Sequence, residues 1–272
     1  MRATTSRRHF WDFDPYDGHH DAEMGRPKTE MTLCGQEPGT DKSGAYAEPR
    51  ILLSGETAIS VEFGDAIDLN TNRKVRHLYK RFKAARYPGI LDINPTYCSL
   101  FIRYDPWVCS LEKLLLILEE KLKVDDATDL DSERIIEIPV CYENEFGLDI
   151  TEVADSHGMH IEKVVELHTA PVYHVYMIGF ILGFPYLGGL DHRLYTPRKK
   201  DPRKAVREGS VGIADRQTGI YPVETPGGWQ IIGMTPVKIF DLQRNEPFML
   251  EMGDRIRFIS ITREEFESYT HH

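Results

Sequence analysis

Four side chains able to form directed hydrogen bonds, Gln217, Thr218, Tyr221 and Gln230, stand around one indole, Trp229, within residues 207–236. Backbone groups with a few placed polar and aromatic side chains make up most small-molecule pockets. The set therefore reads as the lining of a small-molecule pocket. The same run holds six glycines, Gly209, Gly212, Gly219, Gly227, Gly228 and Gly233. Glycine packs nothing and costs backbone entropy, so the chain must turn sharply or be approached closely here. A series of β-hairpins in a barrel, with Trp229 in its core, accounts for the glycines as well.

Two titratable groups lie upstream. Asp191 is the one carboxylate of the loop 180–191, a segment rich in glycine and aromatics that also carries Phe184. It can act as an acid, a base or a turn former. His168 falls seven residues after Ile161 and extends the apolar face of Ile161, Val164 and Val165. That position suits a satisfied buried histidine as well as a catalytic base.

The elements that must hold these groups follow from periodicity. Residues 51–53 and 58–63 read as strands. Asp68 caps a helix whose apolar residues Val75, Leu78, Tyr79 and Phe82 share one face. Residues 90–94 and 99–104 read as two more strands, and Ser110 caps a second helix with Leu111, Leu114, Leu115, Leu118 and Leu122 on one side. The order ββαββα predicts an α+β domain, an antiparallel sheet covered by two helices. After a linker rich in aspartate at 123–133, a strand at 135–140, a short helix opened by a capping box at Asp149 and Glu152, a helix from Ile161 and a strand at 172–179 lead into the glycine-rich region. Three units result: a tail over 1–48, the α+β domain over 49–131 and a mainly β domain over 132–270.

Composition narrows the function. The chain has 272 residues, 41% hydrophobic and 28% charged, ordinary values for a globular protein. A net charge of -10 argues against a nucleic-acid partner, which would need a concentrated basic face. The basic stretch from Arg198 to Lys204 reads as a solvated loop. No apolar run approaches the length that spans a bilayer. Four scattered cysteines, Cys34, Cys98, Cys109 and Cys141, form neither a zinc site nor a disulfide framework, which suits a reduced cytoplasm. Residues 1–48 lack apolar periodicity. Ser6-Arg7-Arg8-His9-Phe10 precedes Asp12, Asp14 and Asp17 rather than an apolar segment, which excludes an export signal. His9, His19, His20 and Asp21 show no metal-ligand spacing, and the internal Met24 and Met31 allow the hypothesis that the natural start lies downstream.

Several motifs in order carry a resemblance. Val175-Tyr176-Met177-Ile178-Gly179-Phe180 runs into Gly183-Phe184-Pro185-Tyr186-Leu187-Gly188-Gly189-Leu190-Asp191, followed by Gly209-Ser210-Val211-Gly212-Ile213-Ala214, Gln217-Thr218-Gly219-Ile220-Tyr221-Pro222, Pro226-Gly227-Gly228-Trp229-Gln230 and Thr235-Pro236. With Gly64-Asp65, Tyr104-Asp105-Pro106 and Ile138-Pro139-Val140-Cys141-Tyr142, the stretch 51–261 resembles the family of 5-oxoprolinase B subunits. That family includes a sporulation histidine-kinase inhibitor and is similar to the carboxyltransferase part of urea carboxylase, called allophanate hydrolase subunit 1.

The resemblance implies a cyclophilin-like β-barrel for the second domain. It implies a protein, inactive alone, that works with a C-type partner of related fold and an A-type partner in ATP-dependent opening of 5-oxoproline to glutamate. Gln217, Thr218, Tyr221 and Gln230 would orient the substrate, Trp229 and Phe184 would wall it, and Asp191 or His168 would titrate. No Gly-x-x-x-x-Gly-Lys-Ser/Thr loop is present, so the ATP site is unconventional or lies on another chain of the complex. A regulator docking on a histidine kinase, and a carboxyltransferase half fed by a biotin carrier on another chain, are the alternatives. The chain departs from the family pattern at Ile181-Leu182, Asp215-Arg216, Thr225 and Met234; the last replaces an expected arginine and would remove a cation from an anionic substrate's pocket.

Overall fold

A computed structural model describes residues 44–123, 135–143 and 145–269. The expectations for a tail before residue 44, and for a linker over most of 123–133, lie outside the described residues.

The first unit is a four-stranded sheet in the order β1-β2-β4-β3, built from β1 (Ala45–Leu53), β2 (Ala58–Gly64), β3 (Ile90–Pro95) and β4 (Ser99–Tyr104). All its pairings are antiparallel. β1 starts at Ala45, within the stretch read as tail, because Ala45 pairs with Gly64 and Tyr46 is buried. Helix α1 (Leu69–Ala85) follows β2, and its first turn is capped by the Asp68 carboxylate accepting from the Thr71 N–H at 2.9 Å. Helix α2 (Leu111–Leu122) follows β4, with Ser110 Oγ accepting from the Lys113 N–H. Val75, Leu78 and Phe82 of α1 meet Leu114, Leu115 and Leu118 of α2 over Ile59, Val61, Leu100 and Ile102 of the sheet, forming one core. Full burial of each such side chain contributes about 1.5–3 kcal/mol, so this core can hold the unit together.

The second unit is a closed barrel of seven strands in the order β10-β7-β6-β13-β5-β12-β9, with β9 returning to β10. In chain order it comprises β5 (Ile135–Cys141), α3 (Ile150–Ser156), α4 (Ile161–Thr169), β6 (Tyr173–Ile178), β7 (Pro185–Gly188), a 3₁₀ turn (His192–Leu194), β8 (Arg203–Val206), β9 (Ser210–Ala214), β10 (Gln217–Ile220), β11 (Thr225–Gly227), β12 (Gln230–Met234), β13 (Arg255–Ile261) and α5 (Arg263–Tyr269). Only β5 and β13 run parallel among these pairings; closure removes the sheet's open edges. β8 and β11 form a separate two-stranded ribbon outside the barrel. Among the described residues no helix is long and apolar enough to cross a membrane.

Two polar residues of α1, Asn72 and Arg76, lie one helical turn apart and are buried against the barrel. Asn72 Nδ2 donates to the Thr96 and Tyr97 carbonyls at 3.3 and 2.9 Å and, across the boundary, to the Tyr176 carbonyl at 3.1 Å. A bulge makes that last acceptor available, because the β6–β7 register shifts between Val175 and Met177 and leaves Tyr176 unpaired. The two units therefore meet through directed hydrogen bonds.

Candidate functional site

Residues 180–181, Tyr186 near the start of β7, the segment 198–202, Tyr221 and the β11 turn enclose a cleft of about 380 Å³. Its lining is Phe180, Ile181, Tyr186, Arg198, Pro202, Tyr221, Thr225, Pro226, Gly227, Gly228 and Trp229. Behind it stands a cluster of rings. Phe184 packs against Tyr186, Tyr221 and Trp229 with centroids 4.9, 5.1 and 5.2 Å apart, and Tyr186 lies 5.8 Å from Trp229. Edge-to-face packing of this kind holds each ring's orientation.

Two glycines make the cluster possible. A side chain at Gly219 would put its Cβ 2.8 Å from Phe184 Cζ, and one at Gly227 would strike the Tyr221 hydroxyl. The glycine-rich sequence thus serves both readings, barrel hairpins and close backbone approach.

Arg198 supplies the cleft's cation. Its guanidinium lies 5.9 Å from the Trp229 ring and 3.9 Å from the Asp215 carboxylate, and its side chain keeps 59% of its surface exposed. Cation–π contact orients the guanidinium while leaving its hydrogen-bond donors for an incoming anion. Burial pushes the Tyr221 phenol up to about 12, although the Trp229 backbone N–H and Arg198 pull the other way; the hydroxyl stays protonated. Burial likewise raises the Tyr186 phenol. Among the described residues, no carboxylate, imidazole or thiol lines the cleft.

One buried carboxylate braces the cleft from beneath. Asp149 accepts from Lys199 Nζ at 3.0 Å, Arg203 Nη2 at 2.5 Å and the Ile231 backbone N–H at 2.6 Å. Burial alone would raise this carboxyl; the bonds from Arg203, Ile231 and Lys199 outweigh it and hold it below its ordinary value. Lys199 also reaches Glu152 Oε2 at 3.0 Å. The expectation of a capping box is corrected here: Asp149 makes no side-chain bond to α3, because the cations and the β12 backbone take its oxygens. The basic stretch is likewise more than a solvated loop, since Lys199 and Arg203 fasten the segment behind Arg198 to the barrel.

The residues expected from sequence separate into groups. Tyr221 and Trp229 line the cleft. Phe184 is buried behind it in the ring cluster. Gln217 lies next to the cluster, with Oε1 accepting from the Tyr97 hydroxyl at 3.0 Å and Nε2 buried without a partner. Gln230 points to the other side of the segment, donating to the Pro197 carbonyl at 3.1 Å and accepting weakly from Lys199. Thr218 faces the barrel interior, where its hydroxyl donates to the Gly212 carbonyl at 2.9 Å.

His168 is fully buried inside the barrel and lines none of this cleft. Because the Thr218 hydrogen is committed to Gly212, its oxygen accepts from His168 Nε2–H at 3.0 Å, and His168 Nδ1 accepts from the Tyr142 hydroxyl at 2.8 Å. The ring stacks on Phe258 at 4.6 Å. Burial pushes its pKa down to about 3, so it is neutral, satisfied and out of reach of a ligand in the cleft. Asp191 caps the 3₁₀ turn. It accepts from the Arg193 N–H, Nε and Nη2 at 2.9, 2.9 and 2.7 Å, and those bonds hold its carboxyl far below the usual range. Neither residue joins the cleft, so the geometry does not unite them with Tyr221 and Trp229.

Sequence reasoning passed over Arg198, Tyr186 and Tyr97. The basic stretch and the Gly-Phe-Pro-Tyr motif signalled the first two, whereas Tyr97 carried no signal. Met234, the departure expected to strip a cation from the pocket, instead packs with Cys141 and Phe146 away from the cleft.

Residues 49–250 match the family model described as carboxyltransferase domain, subdomain C and D. The chain is 39% identical over 226 residues to the 5-oxoprolinase B subunit of Bacillus subtilis, covering 79% of this chain and 94% of that protein. It is 46% identical to the 5-oxoprolinase B subunit of Haemophilus influenzae over 62% of this chain and 77% of that one. The crystal structure of the K. lactis urea amidolyase shares the fold, with a TM-score of 0.69 at 24% identity over 89% of this chain; the match spans 16% of that much longer protein.

Proposed function

The chain belongs to the carboxyltransferase-domain family, subdomains C and D, on the branch of the 5-oxoprolinase B subunits, and from this we propose that it is the B subunit of a complex opening 5-oxoproline to glutamate. The observation that carries the reading is the make-up of the cleft, a guanidinium, two protonated phenols and an indole, with no carboxylate, imidazole or thiol among the described lining residues to act as nucleophile or general base. Such a cleft binds and orients.

In this reading the Arg198 guanidinium pairs with the substrate carboxylate, a charge-assisted contact stronger than a neutral hydrogen bond. Trp229 and Tyr186 flank the five-membered ring, and the protonated Tyr221 hydroxyl and the Gly227–Gly228 backbone orient the lactam. A lactam is a poor electrophile, so opening it requires activation. Phosphoryl transfer from ATP to the lactam oxygen, releasing ADP, would make the lactam carbon electrophilic. Water adds there, the ring C–N bond breaks with its nitrogen taking a proton, and a second water releases phosphate from the acyl phosphate to leave glutamate. This chain has no phosphate-binding loop, so we assign the ATP step to an A-type partner and the completion of the site to a C-type partner of related fold.

The test is ATP-dependent release of glutamate from 5-oxoproline by the assembled A, B and C subunits, with each omitted in turn. Loss of turnover on omitting this chain, and none from this chain alone, is the expected result. Full turnover without it would overturn the reading.

A further inference from the structure

One residue of the α+β domain reaches into the barrel and touches the back of the cleft. Tyr97 sits in the tight turn between β3 and β4, where Thr96 and Ser99 hydroxyls bond at 2.8 Å and the Thr96 N–H donates to the Ser99 carbonyl at 2.8 Å. Asn72 bonds the Thr96 and Tyr97 carbonyls together with that of Tyr176, so the turn is pinned to both units at once. From this anchored backbone the Tyr97 ring packs edge-on against Tyr186 at 5.6 Å and beside Tyr176 at 6.3 Å. Its hydroxyl donates to Gln217 Oε1 at 3.0 Å. Tyr186 in turn lines the cleft and meets Phe184 and Trp229.

Two features distinguish this from ordinary packing between domains. Tyr97 stands directly behind a residue of the cleft wall, so a shift of its ring moves Tyr186 and, through it, Trp229. The bond to Gln217 also sets which way that buried amide faces: Oε1 is taken by the Tyr97 hydroxyl, and Nε2 is left without a partner.

We propose that Tyr97 is a positioning residue for the cleft, through which the α+β domain sets the placement of Tyr186 and the amide orientation of Gln217. The proposal rests on the reading of the cleft as the 5-oxoproline site. In this arrangement one of the cleft's walls leans on a turn from the other domain. Tyr97 touches no substrate, and its effect is on ligand placement.

The test has two arms. In a protein carrying Trp11→Phe and Trp107→Phe, Trp229 is the one remaining indole, and acrylamide quenching reads its shielding without any substrate. Tyr97→Ala is expected to raise that quenching about threefold, because neighbours only partly fill the space left by a deleted ring. Tyr97→Phe keeps the ring and is expected to leave it unchanged. In the assembled complex, Tyr97→Ala is expected to raise KM for 5-oxoproline about tenfold with kcat kept within about twofold, the signature of weakened placement in binding. Tyr97→Phe and Gln217→Leu are each expected to raise KM about threefold, and the double variant no further, since both remove one bond.

Unchanged quenching in folded Tyr97→Ala overturns the proposal, as does raised quenching with an unchanged KM. Should Tyr97→Ala fail to fold, the two milder variants decide, and additive effects on KM count against the proposal. If the wild-type complex turns over equally well without this chain, the proposed place in the complex falls and the quenching arm alone decides the positioning role.

Discussion

The carboxylate of Asp149 accepts the backbone N–H of Ile231 at 2.6 Å, tying the start of α3 to β12 across the chain. Lys199 and Arg203 close on its other oxygen, so the segment that presents Arg198 is held by one buried anion. Removing that anion leaves the buried Ile231 N–H and the partly buried Arg203 without this partner, while Lys199 keeps Glu152.

Asp149→Leu is therefore expected to destabilise the protein by about 3 kcal/mol, within the range for breaking one side of a buried ion pair. Asp149→Asn keeps an acceptor for Ile231 and should lose less. Because the folded carboxyl lies below its ordinary value of 3.8, the stability it contributes is present above that value and is lost as pH falls through it toward the folded value. Denaturant melts of both variants against wild type between pH 7 and pH 3 check the size and the sign.

His168 gives a second pH dependence with a different window. Its folded pKa of about 3 lies below the ordinary 6.5, so the unfolded chain takes up a proton first as pH falls. Full stability holds above pH 6.5, and His168 removes about 1.4 kcal/mol per pH unit as pH drops from there toward 3. His168→Gln should cost stability at pH 7 and flatten the decline between pH 6.5 and about 4. An unchanged slope would show that the ring is not the proton acceptor.

Arg198 tests the cleft itself. Its side chain is largely exposed, so Arg198→Ala should change stability by no more than about 0.5 kcal/mol. Binding of the anionic substrate should weaken about tenfold or more, with Arg198→Lys recovering part of it, because a bidentate fork becomes a point charge. KM for 5-oxoproline in the assembled complex, read at low and high salt, decides the matter. Equal KM values in wild type and Arg198→Ala would move the carboxylate site elsewhere.

Asp191 is the contrasting case. Its carboxylate is occupied by three donors of Arg193, and the contact sits at the surface. Asp191→Asn is expected to shift stability by about 1 kcal/mol or less and leave turnover within about twofold. A collapse of kcat at unchanged stability would return Asp191 to the chemistry.

Part of this architecture could be read from the chain because its causes are local. Asp68 and Ser110 cap the helices that follow them, since a cap needs only a short side chain near three free N–H groups. The apolar faces of α1 and α2 follow from the 3.6-residue period, and the glycines at 219 and 227 announced close approach before the rings that approach them were known. The residue types of 207–236 pointed to a pocket; of the five residues named from them, Tyr221 and Trp229 line the cleft and Gln217, Thr218 and Gln230 do not.

Order along the chain was thus enough for the main elements, the glycine-rich region and the family to which it belongs. Which polar residues meet was a matter of folding in three dimensions. Asp149 finds Lys199 and Arg203 some fifty positions on, and Tyr97 finds Gln217 across 120. The closed barrel also turned His168 inward, to Tyr142 and Thr218, and the turn after β7 occupied Asp191 with its neighbour Arg193. Periodicity and capping are short-range consequences of backbone geometry, whereas a partner brought up by barrel closure leaves no trace in the residues beside it.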